Sequence, residues 1–231
     1  MLMRQLVLNL AAPALPSLRS FVTGCNEEVV ALLSGFEREE PGLDQRFVYL
    51  WGEQGAGKSH LLHAMAGLNS SLYLSAETIN ADTAVLDAPP NIVLYLLDDC
   101  DRLDPEAQIA VFALFNRLRD QGHALIASGA QPPLQLNLRE DLRTRLGWGL
   151  IYQIHELTDA EKIDALTAAA VERGLGLSQG VIPYLTTHFA RDMQSLMAML
   201  DALDRYSLET RRPITLPLLR SLLLRESTEP A

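Results

Sequence analysis

Cysteine and positive charge are both scarce in this chain of 231 residues. Its two cysteines, Cys25 and Cys100, show no metal-binding spacing, so we expect core thiols in a protein of the reducing cytoplasm. Acidic residues outnumber basic ones by 29 to 19, and the resulting formal charge of −10 argues against nucleic acid as the main direct ligand. No apolar run reaches transmembrane length, and Pro13 and Pro16 interrupt any signal-peptide core.

The clearest positive signal is a phosphate loop with the pattern G-x-x-x-x-G-K-[ST]. An apolar strand, 46–51, precedes it and a helix start, 60–66, follows it, which is the context that favours a true site over a chance glycine-rich turn. Lys58 would reach the β- and γ-phosphates of ADP or ATP, and Ser59 would ligate Mg²⁺. The predicted nucleotide-binding residues of this segment are Gly52, Gly55, Ala56, Gly57, Lys58, Ser59 and His60.

A second apolar strand, 91–99, ends in the carboxylates Asp98 and Asp99. A strand buried on both faces is apolar throughout, so acids at its carboxyl end are displayed at the sheet edge where ligands bind. This Walker B pattern predicts that Asp98 holds the Mg²⁺ shell and that Asp99 positions the attacking water. Paired acids can also serve a turn, but the phosphate loop earlier in the chain favours the functional interpretation.

Strands alternate with helices as far as Ile154, and only helices are expected after it. Asn26 is expected to cap the first helix, and Thr158 with Glu161 forms a capping box for the first helix of the C-terminal region. The predicted fold class is α/β, with a parallel sheet flanked by helices and then a small all-helical domain. The predicted domains are a flexible arm, 1–16, a nucleotide-binding domain, 17–154, and a helical domain, 155–231.

The N-terminal arm contains the sequence QLVLNL at residues 5–10. Its alternating apolar residues are compatible with an edge strand. They are equally compatible with a linear motif, in which Gln5 and the spaced side chains of Leu6, Leu8 and Leu10 dock as an extended peptide into a partner's pocket. The residues alone leave both interpretations open.

The order of these features, with an arginine before Gly-Trp-Gly, resembles an AAA+ ATPase module that ends in a helical lid. More narrowly, the segments YLWGEQGAGKSHLLHA, LLDDCDRL, QPPLQL and TRLGWGL are similar to the boxes of the DnaA-related AAA+ proteins. Within that family the chain most resembles the regulatory inactivators of DnaA, because it lacks the long N-terminal domain and ends after the lid without a helix-turn-helix domain.

The resemblance implies two partners and one trans-acting residue. Residues 5–10 would dock on the DNA polymerase sliding clamp, the beta subunit, and DNA would be reached mainly through the clamp. Arg145 would be an arginine finger that reaches the ATP held by DnaA. From the residues alone, Arg145 could instead form a structural ion pair with Asp141 at i+4 spacing. The sequence leaves the oligomeric state and the choice of ADP or ATP open.

Two positions depart from the DnaA pattern. At the sensor position of the fourth strand, where the family carries an acid, this chain has Ala130, and Ser128 is the nearest polar residue. At the sensor position of the lid, where the family carries an arginine, this chain has Gln194, with Arg191 one turn earlier. Both departures predict weak intrinsic hydrolysis and favour a regulator that acts through Arg145. The competing hypotheses are a self-assembling ATPase or helicase loader, which needs responsive sensors, and a small-molecule kinase, which needs a basic lid.

Overall fold

A computed structural model describes residues 16–38, 45–87, 89–188 and 192–226. The chain divides into two compact units between Glu156 and Leu157. The predicted clamp-docking residues, 5–10, lie outside the described residues, and so does Arg191. Among the described helices, none combines the length and apolar character needed to cross a membrane.

The first unit is built on a five-stranded sheet in which every paired neighbour is parallel, in the order β2-β3-β4-β1-β5. The two strands in its middle, β3 and β4, are buried along their whole length, as expected for strands covered on both faces. The sequence did not predict β5, because this edge strand is short and alternates between half-buried and exposed residues. The strands are β1 (Phe47–Trp51), β2 (Ser71–Ser75), β3 (Leu94–Asp98), β4 (Ala124–Gly129) and β5 (Leu150–Gln153).

Helices cover both faces of this sheet and form two hydrophobic clusters with it. One cluster includes Phe115 and Leu118, and the other includes Leu33 and Leu62, all at most 2 % exposed. Burial of such side chains is the main favourable contribution to folding. The helices of the unit are α1 (Glu27–Glu37), α2 (Lys58–Met65), α3 (Ala76–Ala81), α4 (Pro105–Gln121) and α5 (Glu140–Leu146).

The start of α1 differs from the prediction. Asn26 makes no side-chain cap bond; its buried carboxamide instead donates to the carbonyl of His155 at 3.0 Å and accepts from the backbone N–H of His155 at 2.8 Å. A buried carboxamide is stabilised more by two hydrogen bonds to backbone groups than by one capping bond. Both backbone groups belong to a residue far away in sequence, so local pattern does not reveal them. Asn26 therefore ties α1 to the chain that follows β5.

The second unit contains α6 (Asp159–Glu172), α7 (Val181–His188), α8 (Met193–Thr210) and α9 (Leu216–Glu226). The predicted capping box of Thr158 and Glu161 is confirmed at the start of α6. The chain before α7 is extended: Leu177 pairs with Ile214 in an isolated parallel bridge, and the Ser178 N–H donates to the carbonyl of Ile214. The core of this unit is rich in leucine, including Leu166, Leu185 and Leu200.

Candidate functional site

The phosphate loop lies between β1 and α2 and needs glycine at two positions. Gly55 and Gly57 have φ angles of +91° and +100°, in the left-handed region that glycine adopts without a steric penalty. A Cβ on Gly57 would also lie 2.7 Å from a ring carbon of Phe21. The loop is therefore held in a shape that glycine permits, directly ahead of the positive end of a helix.

The ammonium group of Lys58 is anchored inside this loop. Its Nζ donates to the carbonyls of Gly52 and Glu53, each at 2.8 Å, and the residue is 8 % exposed. Burial lowers the pKa of Lys58, while the carboxylates of Asp99 and Asp98 oppose that shift by favouring the charged form. The ammonium is held by neutral carbonyls, and no salt bridge within the described residues competes with an anion for it.

The next two residues of α2 differ in their surroundings. Ser59 is exposed in the first turn of the helix, where a hydroxyl can face a bound cation. The Nε2 of His60 lies 3.3 Å from the hydroxyl of Ser20 and 3.2 Å from the carbonyl of Ser17, and burial lowers the pKa of His60. The imidazole therefore fastens the preceding segment to α2, and its predicted contact with nucleotide stays a prediction.

The Walker B carboxylate has hydrogen-bond donors on both oxygens. Oδ1 of Asp98 accepts from the Ser128 hydroxyl and from the Asp99 N–H, and Oδ2 accepts from the Tyr73 hydroxyl at 2.8 Å. Asp98 is only 4 % exposed, so these bonds compensate the cost of burying its charge. Sequence reasoning named Ser128 but missed Tyr73, which only the pairing of β2 with β3 brings to this strand end.

Asp99 has a left-handed backbone conformation and lies between charges of opposite sign. Its φ of 56° and ψ of 44° are left-handed, one of two such non-glycine residues in the described chain. Burial raises the pKa of Asp99 and the charge of Asp98 adds to that rise, whereas Arg102, which lies 3.2 Å away, opposes it. The carboxylate predicted to position water is thus already paired with a cation.

At the predicted sensor position, Ala130, just after β4, the observed contact is made by the backbone and not by a side chain. The N–H of Ala130 donates to Oδ1 of Asp101 at 3.1 Å, and a Cβ on Gly129 would collide with the hydroxyl of Tyr49. Ser128, which is fully buried, is therefore the side chain of this strand end that reaches the Walker B acid. The side chain of the predicted lid sensor, Gln194, is not among those described.

A magnesium ion fits the donors at this edge. The described residues contain no cluster of three His, Cys, Asp or Glu side chains that could form a metal cage by themselves. Mg²⁺ is commonly held by one or two protein oxygens together with phosphates and water. Ser59 and Asp98 supply a hydroxyl and a carboxylate of the required kind.

Arg145 lies outside this network, on α5. Its guanidinium carbon is 3.7 Å from the centre of the Trp148 ring, 5.6 Å from that of Phe112 and 6.0 Å from that of Phe115. Nη1 of Arg145 is buried and has no hydrogen-bond partner among the described residues. Asp141 is paired with Arg139, at 2.8 Å and 3.2 Å, so the alternative of an Arg145–Asp141 ion pair is wrong for this structure.

The chain is similar to known proteins in its C-terminal unit and over most of its length. A family model described as "Hda, lid domain" matches residues 159–223. A Haemophilus influenzae protein, described only as uncharacterized, is 37% identical over 202 residues, which cover 83% of this chain and 87% of that one.

Two solved structures share the fold. Domain III of the Thermotoga maritima replication initiation protein DnaA is 18% identical, with a TM-score of 0.73, and the match covers 94% of this chain and 100% of that one. A replication initiator DnaA bound to AMPPCP and single-stranded DNA is 22% identical, with a TM-score of 0.70 and coverages of 92% and 68%.

A parallel sheet with a phosphate loop after β1, acids after β3, a polar group on β4 and a C-terminal helical unit defines the AAA+ class. The lid model and the shared fold narrow the class further. The chain belongs to the same family as the Haemophilus influenzae protein, and the lid match together with the shared fold relates it to the DnaA/Hda group of AAA+ proteins.

Proposed function

We propose that this protein is a nucleotide-binding AAA+ regulator that docks on the sliding clamp, stimulates hydrolysis of ATP bound to DnaA, and so restrains initiation of DNA replication. The observation that carries the proposal is the state of Arg145. It is a guanidinium without a salt bridge among the described residues, stacked on Trp148, which is 56 % exposed. A cation held on aromatic rings at the surface can accept an anion supplied by another protein.

Nucleotide binding rests on the phosphate loop. The N–H groups around Gly55 and Gly57 and the ammonium of Lys58 would hold the phosphates of ADP or ATP. Mg²⁺, when bound through Ser59 and Asp98, supplies charge neutralisation between the phosphates. The DnaA structure with AMPPCP supports the nucleotide class, because its fold is shared.

Stimulation in trans rests on phosphoryl-transfer chemistry. The transition state carries charge on the γ-phosphoryl oxygens, and an arginine supplied from a neighbouring protein stabilises it. The chain's own site is less suited to turnover, because Asp99 is paired with Arg102 and Ala130 brings no side-chain acid or base. We therefore propose weak intrinsic ATPase activity and a catalytic contribution by Arg145 to DnaA.

The decisive experiment compares Arg145→Ala with Arg143→Ala, a matched loss of one positive charge on the same helix. Each protein is mixed with labelled ATP bound to DnaA, with clamp and with DNA, and ADP formation is followed. Arg145→Ala should reduce the stimulated rate by about 10³-fold while its own nucleotide affinity is unchanged, and Arg143→Ala should stimulate normally. Full stimulation by Arg145→Ala would exclude the trans arginine.

Docking on the clamp is proposed for the N-terminal arm. Gln5 would supply directional hydrogen bonds, and Leu6, Leu8 and Leu10 would supply apolar contacts. The net charge of the protein is −10, so DNA would repel it. Attachment to DNA through a clamp fits this charge better than direct binding does. Deleting residues 1–10 should abolish clamp binding in a pull-down and leave the melting temperature nearly unchanged. A large drop in melting temperature with clamp binding retained would favour an edge strand.

The alternative is a self-assembling DnaA-like ATPase or helicase loader. The hydrogen bonds to both oxygens of Asp98 favour this alternative, because they hold the carboxylate in place for a nucleotide bound by the same chain. The two functions separate when hydrolysis is measured without DnaA. A self-assembling ATPase should lose its own turnover with Arg145→Ala, whereas the proposed regulator should show little turnover with or without Arg145.

A further inference from the structure

Arg145 is held by a line of aromatic rings that begins at the sheet. The Phe47 ring of β1 lies 4.3 Å from that of Phe115, and Phe115 meets Trp148 edge to face at 6.1 Å. The Trp148 ring then carries the guanidinium of Arg145 at 3.7 Å. Stacking of this kind uses the flat face of the guanidinium and therefore consumes none of its N–H groups, of which those on Nη1 are buried.

Gly149 explains how the indole reaches this position. A Cβ at Gly149 would collide with the backbone carbonyl of Phe47, so only glycine allows the chain after Trp148 to pass this close to β1. The Gly after Trp in the Gly-Trp-Gly sequence is therefore a requirement of the close approach.

The nearest competitor for Arg145 is Asp141, one helical turn earlier. Residues at i and i+4 are neighbours on a helix surface, and both residues line the same open cavity of about 710 Å³. Arg139 occupies both oxygens of Asp141, with N···O distances of 3.2 Å and 2.8 Å. The hydrogen bonds from Arg139 hold the pKa of Asp141 below its ordinary value. An aspartate is charged near neutral pH even at its ordinary pKa, so Asp141 would still attract Arg145 if Arg139 were absent.

We propose that Trp148 and Arg139 are positioning residues that together keep the Arg145 guanidinium free for the γ-phosphoryl group of a nucleotide held by another protein. Trp148 supports the flat face of the guanidinium, and Arg139 occupies the carboxylate that would otherwise capture it. The inference rests on the proposed trans action of Arg145, but the state of the side chain can be measured without any partner.

The first test replaces the indole. Trp148→Ala should lower the maximal stimulated rate of hydrolysis of DnaA-bound ATP by about 2- to 5-fold, the range of a surface cation–π contact, whereas Trp148→Phe should lower it less. The protein concentration that gives half-maximal stimulation should not change. A change confined to that concentration would overturn the proposal, because Trp148 would then be only a docking contact.

The second test uses rescue. Arg139→Ala should lower the maximal rate about 2-fold, because Asp141 becomes free to pair with Arg145. Asp141→Ala should behave normally, and the double variant Arg139→Ala with Asp141→Ala should recover. Arg143→Ala is the matched control for loss of charge on α5. Failure of the double variant to recover would contradict the role of Arg139.

The third test needs no partner. Proton NMR of the Arg145 side chain should show upfield ring-current shifts in the unmodified protein and in Arg143→Ala. These shifts should be lost in Trp148→Ala and reduced in Arg139→Ala. Unshifted Arg145 protons in the unmodified protein would overturn the inference directly. If instead the shifts are present but the unmodified protein fails to stimulate DnaA, the proposed function fails and the positioning of Arg145 stands.

Discussion

The phosphate-loop edge of the sheet and the Arg145 face of α5 both carry charged side chains, but they differ in whether those side chains have hydrogen-bond partners within the chain. At the edge, Lys58 donates to two carbonyls, and Asp98 accepts from Ser128 and Tyr73. On α5, Nη1 of Arg145 is buried without a hydrogen-bond partner among the described residues. The polar groups of the first region bond to one another within the chain, whereas the second region leaves a buried donor without a partner among the described residues.

The difference separates affinity from rate. A buried polar network in which each member is bonded holds its shape before the ligand arrives, so it suits tight binding of nucleotide. A cation that lacks its anion contributes most when the anion appears in a transition state. Variants at the two regions should therefore have different effects, and the following predictions test that separation.

The largest effect on nucleotide binding is expected for Lys58→Ala. Removal of the ammonium leaves the phosphates of ADP under-compensated in a largely buried loop, and a charge-assisted contact of this kind is worth about 2 kcal/mol, or about 30-fold in affinity. Calorimetric titration with Mg–ADP measures the loss. Arg145→Ala, analysed in parallel, should bind ADP with unchanged affinity.

The contrast between the two regions would be wrong if Lys58→Ala and Arg145→Ala had the same effect on ADP affinity. Equal ADP affinity in Lys58→Ala and the unmodified protein would remove the phosphate-loop assignment. Weakened ADP binding in Arg145→Ala would instead mean that the guanidinium serves nucleotide in cis, and the separation between the two regions would be lost.

The sequence was sufficient where function depends on contiguous residues. The phosphate loop and the two acids after β3 are each a run of neighbours with a required order, so their positions follow from local pattern. The fold class was predictable for the same reason, since buried strands alternate with amphipathic helices.

Contacts between distant residues were not predictable. Tyr73 reaches Asp98 only through the register of β2 with β3, and Asn26 bonds to His155 although a helix start nearby offered a local role. Asp141 pairs with Arg139, two residues away, in place of Arg145, which is four residues away at the spacing that helix geometry favours. Spacing alone cannot decide it, because side-chain packing around Trp148 holds Arg145 away.

An intermediate effect is expected for Ser128→Ala. The hydroxyl donates to Asp98 and accepts from the Asp99 N–H at 3.0 Å, so its removal takes one donor from a buried carboxylate. We expect a loss of about 1 to 2 kcal/mol in the free energy of unfolding. Urea unfolding of the nucleotide-free protein measures it, with Ser70→Ala as a control for loss of a half-buried serine hydroxyl. Unchanged stability would mean that the Asp98 network is not held by this residue.

The smallest effect is expected for Asp99→Asn, and it has the opposite sign. Burial and the charge of Asp98 raise the pKa of Asp99 above 3.8, which disfavours its charged form in the folded protein. Asn tolerates the left-handed backbone at this position at least as well as Asp. Because the Asp99 side chain is 38% exposed, solvent screening reduces the gain, and we expect a melting temperature higher by about 1 to 2 °C at pH 7 in metal-free buffer.

The pH dependence distinguishes this cause from a general gain in stability. A carboxyl group with a raised pKa in the folded state binds its proton more tightly there than in the unfolded chain, so its favourable contribution is complete below the ordinary value of 3.8 and is lost as the pH rises through the raised value. The charges that act on Asp99 are those of Asp98, Arg102, Asp101 and Lys58. The advantage of Asp99→Asn should therefore be largest at pH 7 and shrink toward pH 4 in thermal unfolding experiments. An advantage that stays constant between these pH values would assign the effect to the backbone conformation, and no advantage at all would mean that the pair with Arg102 outweighs the burial of the carboxylate.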